Sequence, residues 1–118
     1  MSKALMEEGL LEMFLPNLIV VHFKLTKTET SLNDLHFYYI EKNIVPPGYE
    51  GIKLHSKGFY AESTVQDFPI RGKSVYLHIT RRKWKEIETG QTVKRDWELV
   101  AKGTRMTSEF ATFLKGLH

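Results

Sequence analysis

Between Lys73 and Arg82 the chain reads Lys-Ser-Val-Tyr-Leu-His-Ile-Thr-Arg-Arg, and this alternation narrows the folds open to it more than any other feature. Val75, Leu77 and Ile79 fall on one side of an extended backbone, with Tyr76, His78 and Thr80 on the other, because successive strand side chains point to opposite faces. A strand with one apolar face needs sheet partners and a layer to cover it. Glu88-Thr89-Gly90 predicts a turn, and Thr92 to Lys102 returns as a strand with Val93, Arg95, Trp97, Leu99 and Ala101 on one side. Residues 73–102 are therefore expected to form a basic hairpin. A first hairpin is expected upstream. Leu18 to Thr28 sets Ile19, Val21, Phe23 and Leu25 against Val20, His22, Lys24 and Thr26. The polar stretch Thr28 to Asp34 turns the chain, and Leu35 to Lys42 sets Leu35, Phe37 and Tyr39 against His36, Tyr38 and Ile40.

Asn43 to Gly51 holds Pro46, Pro47, Gly48 and Gly51, and two consecutive prolines fix a loop that cannot enter a sheet interior. Ile52 to Tyr60, interrupted by Gly58, reads as a weaker strand, and Phe68-Pro69-Ile70-Arg71-Gly72 as a turn. Helical spacing of apolar residues predicts a short amphipathic helix from Ser2 to Phe14, stopped by Pro16. After Gly103, Thr104 or Thr107 caps a last helix whose apolar face is Phe110, Phe113, Leu114 and Leu117. The expected fold is α+β: an antiparallel sheet of about five or six strands built from two hairpins, with short N- and C-terminal helices on one face. At 118 residues, one domain spanning 1–118 is expected. Apolar runs such as Leu18 to Val21 are far too short for a membrane helix, and the acidic start, with Glu7, Glu8 and Glu12, is unlike a signal peptide. The cytoplasm is the expected address, with no membrane partner.

The chain has no cysteine, so disulfides, thiolate metal sites, iron–sulfur clusters and thiol nucleophiles are all excluded. His22, His36, His55, His78 and His118 show no metal-ligand spacing, the carboxylates form no evident catalytic set, and the glycines form no phosphate-cradling loop. No enzymatic activity, catalytic residue, metal or cofactor is expected. Charge is the informative property. The net charge is +3, but Arg71 to Arg105 holds ten Lys or Arg against four Asp or Glu, leaving −3 for the remainder. Within that basic half, Arg81-Arg82-Lys83-Trp84-Lys85 puts four cations around an indole directly after a strand. Such cations neutralise phosphates, while the indole stacks on a base or packs beneath them. Lys94 and Arg95 fall near this run across the turn, and a basic two-stranded ribbon fits a major groove. The same residues also suit a solvated hairpin whose charge blunts a sheet edge, with Trp84 and Trp97 as core anchors.

The stretch Val65-Gln66-Asp67-Phe68-Pro69-Ile70-Arg71-Gly72-Lys73-Ser74-Val75-Tyr76-Leu77-His78-Ile79-Thr80-Arg81-Arg82-Lys83-Trp84 resembles the N-terminal region of ISAon-type insertion-sequence transposases. Arg95 to Thr107 and Glu109 to Lys115 are similar to the same region, as are, more weakly, Gly9 to Glu12 and Ser56 to Phe59. The resemblance implies a short leading frame without the DDE catalytic domain, whose role is to recognise the element's ends. More distantly, the strand and basic hairpin resemble the zinc-finger-led N-termini of related transposases. Those fingers use cysteines, which this chain lacks. The implied partners are double-stranded DNA at the element ends and the catalytic transposase subunit. Arg81, Arg82, Lys83, Trp84, Lys85, Lys94 and Arg95 are the candidate DNA contacts, extended by Arg71, Lys73, Lys102 and Arg105. The alternative is a protein-interaction module that docks on the catalytic subunit or forms a homodimer, since strand Leu18 to Leu25 is apolar on both sides. A small metal-dependent nuclease is a third reading, and it needs clustered carboxylates.

Overall fold

A computed structural model of the chain describes residues 17–96 together with Thr112, which is helical and exposed. The helices expected at Ser2 to Phe14 and after Gly103 lie outside the described residues, Thr112 apart. Within them the order is α1 (Asn17–His22), β1 (Phe23–Thr30), β2 (Asp34–Glu41), β3 (Leu54–Phe59), β4 (Ser63–Ile70), β5 (Lys73–Thr80), β6 (Arg82–Glu86) and β7 (Thr92–Val93). The architecture is mostly β and forms two sheets, sheet A ordered β1-β2-β5-β4 and sheet B ordered β3-β6-β7. This overturns the expected α+β class with a single antiparallel sheet. Sheet A is mixed: β2 runs parallel to β5, Leu35 facing Val75 and Tyr39 facing Ile79, while both flanking pairs are antiparallel.

The first hairpin forms with shifted limits, because Leu18 to His22 is helical instead of extended. Burial explains the difference. A strand would turn Ile19, Val21 and Phe23 inward together, yet Val21 is 45% exposed while Ile19 and Phe23 both enter the core. Those two lie four residues apart, one turn of helix, so a helical turn delivers both to the same face. Their contact with Phe37, Tyr39, Val65, Val75, Leu77 and Ile79 outweighs the weak β preference of the Ile-Val-Val run. Burying side chains of this size stabilises by about 1.5–3 kcal/mol each.

Residues 54–86 form one long, bent hairpin. Its two arms pair as β4 with β5 around the Arg71–Gly72 turn and, further out, as β3 with β6. Tyr60 N–H donates to Arg81 O at 2.8 Å between the two paired stretches, so pairing runs almost unbroken across the bend. The arm carrying β3 and β4 gains an extra residue between Ser56 and Phe59, again between Phe59 and Ser63, and again between Asp67 and Ile70. Bulges of this kind bend a strand and sharpen its twist, and the first two, at the junction, move the far half of the hairpin out of sheet A and into sheet B. Pro69 is accommodated because β4 is an edge strand and the proline sits at a bulge. The predicted turn Phe68 to Gly72 thus contracts to Arg71 and Gly72, both at positive φ (49° and 77°), as a two-residue primed turn demands.

Two further expectations are corrected. The predicted strand Lys73 to Arg82 is split at Arg81, β5 belonging to sheet A and β6 to sheet B. The return strand pairs with β6, Trp84 facing Val93, and not with β5; it ends at Val93, Lys94 to Asp96 being non-strand and 97–102 outside the described residues.

Candidate nucleic-acid interface

Sheet B has an inner and an outer face, set by the alternation along β6. Trp84 points inward and is 1% exposed, directly opposite Ser56 on β3 and Val93 on β7. Its indole N–H donates to Asn43 Oδ1 at 2.9 Å, which satisfies the one polar atom of a buried tryptophan. With its ring enclosed, Trp84 serves as the anchor of sheet B and is not placed to stack on a base. Arg95 lies 5.9 Å from the same ring and is 3% exposed. Its Nε donates to Glu41 Oε2 at 3.1 Å, and Arg82 N–H donates to Glu41 Oε1 at 2.9 Å. The Arg82 guanidinium donates to Glu41 O at 3.2 Å and to Ser56 Oγ at 2.6 Å, and lies 4.8 Å from the Phe59 ring. Glu41, at the end of β2, therefore ties sheet A to sheet B through two arginines. Burial pushes its carboxyl above the usual carboxylate range, against the pull of Arg82 N–H and Arg95. Arg81 rests over Tyr60 at 4.7 Å. Arg82 and Arg95 of the predicted DNA-binding set thus have their guanidiniums engaged within the protein, while Arg81 is half-buried beside Tyr60.

The lysines have the opposite fate. Lys83 and Lys85 alternate with Trp84 and so face outward; Lys85 is exposed, and Lys83 reaches to 5.4 Å from the Tyr60 ring. Lys85 pairs with His55 across β3 and with Thr92 across β7. Lys94 follows the end of β7, where continuation of the register sets it opposite Lys83, and it is exposed. His55 and Lys57, both exposed, join this outer face from β3. Neither was among the residues expected from the sequence, because nothing local to Ile52–Tyr60 announces that it pairs with the basic run.

Arg71 and Lys73 do not extend the patch. They sit at the opposite end of β5, and eight residues at about 3.3 Å each put them roughly 25 Å from β6. Arg71 is exposed in the turn, and Lys73 Nζ donates to Ser31 O at 3.0 Å. Lys102 and Arg105 lie outside the described residues.

The face of sheet A opposite its core carries a second cluster. Tyr76, His36, His78 and Tyr38 stack in a column with ring centroids 5.0, 5.1 and 4.2 Å apart. His36 Nδ1 and His78 Nε2 are 2.8 Å apart, so one nitrogen donates and the other accepts. The remaining nitrogen of His78 is 3.0 Å from Thr64 Oγ1 and 3.8 Å from Glu62 Oε2. Burial lowers the His78 pKa, His36 adds to the fall, and Glu62 and Glu29 oppose it. Because the rings stack on one another, both faces of His36 and His78 are taken, and Lys27 lies 5.1 Å from the Tyr38 ring at one end of the column.

Among the described residues no three His, Cys, Asp or Glu side chains are placed to hold a metal ion, and no helix is long and apolar enough to cross a membrane. No protein-family model, curated protein sequence or solved structure matches the chain.

Proposed function

We propose that this chain binds double-stranded DNA through the outer face of sheet B, as a non-catalytic accessory segment that recognises the ends of an insertion-sequence element. The observation that carries the reading is the sorting of cations on sheet B. The Arg95 guanidinium turns inward to the Glu41 carboxylate and that of Arg82 to Glu41 O and Ser56 Oγ, whereas Lys83, Lys85 and Lys94 turn outward on one ribbon with Lys57 and His55 beside them. Flexible ammonium groups on an exposed ribbon suit phosphate neutralisation, which is tolerant of geometry, while the Arg95 guanidinium meets the directional need of the buried Glu41 carboxylate. The resemblance of Val65 to Trp84 to the leading region of ISAon-type transposases supplies the biological setting. In that setting the other partner is the catalytic transposase subunit.

A specific observation also favours an interaction role. Ile44, Val45 and Ile52, all in the connection between β2 and β3, are exposed, and an apolar loop of this kind suits docking on the catalytic subunit or on a second copy. A strand apolar on both sides no longer supports that role, since Leu18 to His22 belongs to helix α1.

The test is a fluorescence-anisotropy titration of the protein with a labelled element-end duplex and a scrambled duplex, each across a salt series. Binding should tighten on the end sequence. Substituting Lys83, Lys85 and Lys94 by Ala should flatten the salt dependence by about 0.9 in logarithmic slope for each phosphate left unneutralised. Absence of binding at low salt, or an unchanged slope in the triple variant, would refute the reading in favour of the interaction role.

A further inference from the structure

Where β3 meets the turn that joins β6 to β7, His55, Lys57, Lys85, Glu86, Ile87 and Gly90 line an open pocket of about 340 Å³. Two strands supply its cations. His55 faces Lys85 directly across the β3–β6 pair, and Lys57 follows two positions along, at the bulge between Ser56 and Phe59. The turn supplies the floor. Gly90 has a φ of +73°, and a side-chain carbon there would lie 3.7 Å from Lys85 Cε, so the lysine stem lies across the glycine. Glu86 is the lining carboxylate, and its Oε2 accepts a hydrogen bond from Thr89 Oγ1 at 3.1 Å.

We propose that this pocket seats one phosphate group, with His55, Lys57 and Lys85 as its donors. Two lysines and a histidine from different strands line one opening, and a tetrahedral phosphate offers enough oxygens to engage donors from both walls. Glu86 opposes the two lysines and sets the seat's affinity below what they alone would give. The proposal rests on the DNA reading to the extent that the phosphate is a backbone phosphodiester; a free phosphate monoester shares the chemistry. His55, Lys57 and Glu86 stand apart from Lys83 and Lys94, so the seat is testable separately from the ribbon.

Two measurements on the full chain decide it. The first is anisotropy with a duplex of arbitrary sequence, comparing wild type with Lys57→Ala, His55→Gln and Glu86→Gln. Lys57→Ala should lower the logarithmic salt slope by about 0.9, His55→Gln should weaken binding, and Glu86→Gln should tighten it. The second follows the His55 ring resonances by NMR while inorganic phosphate is added, with chloride at matched ionic strength as control. Saturable shifts with phosphate but not chloride, in a protein that does not bind the duplex, would assign the seat to a free phosphate and leave the DNA reading refuted alone. If wild type binds the duplex while all three variants match it in affinity and slope, the ribbon stands and the phosphate seat is overturned. Tightening by Glu86→Gln excludes a merely damaged fold, which does not bind better, and the phosphate-specific shift of His55 is what separates the seat from the general charge of the ribbon.

Discussion

Asp67 is an energetic liability in the fold, because it is charged by nature yet only 3% accessible to solvent. It lies on the inward face of β4 opposite Val75, and neither carboxylate oxygen meets a partner in good hydrogen-bond geometry. Burial drives its pKa up, with a smaller opposing contribution from the backbone at Phe68. Because the folded pKa is raised, the unfolded chain releases its proton first as pH increases. The contribution of Asp67 to stability is thus fully present below the ordinary aspartate pKa of about 3.9 and is lost as pH rises through the elevated value. Asp67→Asn keeps the shape and abolishes the titration. An unpaired buried polar group costs about 1–3 kcal/mol, and more when charged, while the amide leaves some of that cost in place. The variant should therefore be more stable than wild type by about 1–3 kcal/mol at pH 7, the gap closing toward pH 4 as Asp67 itself takes up a proton. Urea unfolding of both proteins at pH 4, 5.5 and 7 reads this directly from the midpoints, provided the slopes agree. A variant less stable than wild type at pH 7, or a gap that does not change with pH, would refute the reasoning.

Other perturbations test the remaining buried charges and the turn. Arg95→Ala leaves Glu41 buried without its guanidinium and should cost about 3–5 kcal/mol; Glu41→Leu combined with Arg95→Met should recover most of that stability, a recovery that denaturant unfolding of the two variants measures. His78 has a depressed folded pKa, so its contribution to stability is present above the ordinary histidine value of about 6.5 and falls away as pH drops below it. His78→Gln should flatten the unfolding midpoint between pH 5 and 7, and NMR titration of the wild-type ring should find it protonating below the ordinary range. Arg71 holds a φ of 49°, a region asparagine tolerates far better; Arg71→Asn should raise stability by about 0.5–1 kcal/mol, seen as a higher melting temperature.

What the sequence disclosed follows the range over which each signal acts. The alternation of Val75, Leu77 and Ile79 is local and strong, and β5 appears where it predicts. The loop at 43–51 is likewise free of strand, because Pro46 and Pro47 forbid one. The alternating Ile19-Val20-Val21 run misled because strand periodicity and a single helical turn compete over so few residues, and the choice fell to a tertiary contact between Ile19 and the sheet. β4 was hidden by Phe68-Pro69-Ile70-Arg71-Gly72, whose turn residues are real but whose first three extend an edge strand through a bulge.

The site shows the same division. That residues 81–95 would be basic was plain from composition, but which cations face outward depended on where the inward position falls. A single fact settles it: Trp84 faces inward, so Arg82 and Lys83, adjacent in sequence, have opposite fates. The guanidiniums of Arg82 and Arg95 are then claimed by Glu41, one at its backbone carbonyl and one at its carboxylate, from a strand more than forty residues away, through contacts no local pattern encodes. His55 and Lys57 join the lysines for an equally remote reason, the bends that carry one long hairpin from sheet A into sheet B. The bulges near Lys57 and after Phe59, at the junction of the two sheets, thus do more than blunt an edge. By turning the outer half of the hairpin away from the core they put the basic ribbon on a sheet of its own, where its lysines need not compete with the aromatic column of sheet A for the same face.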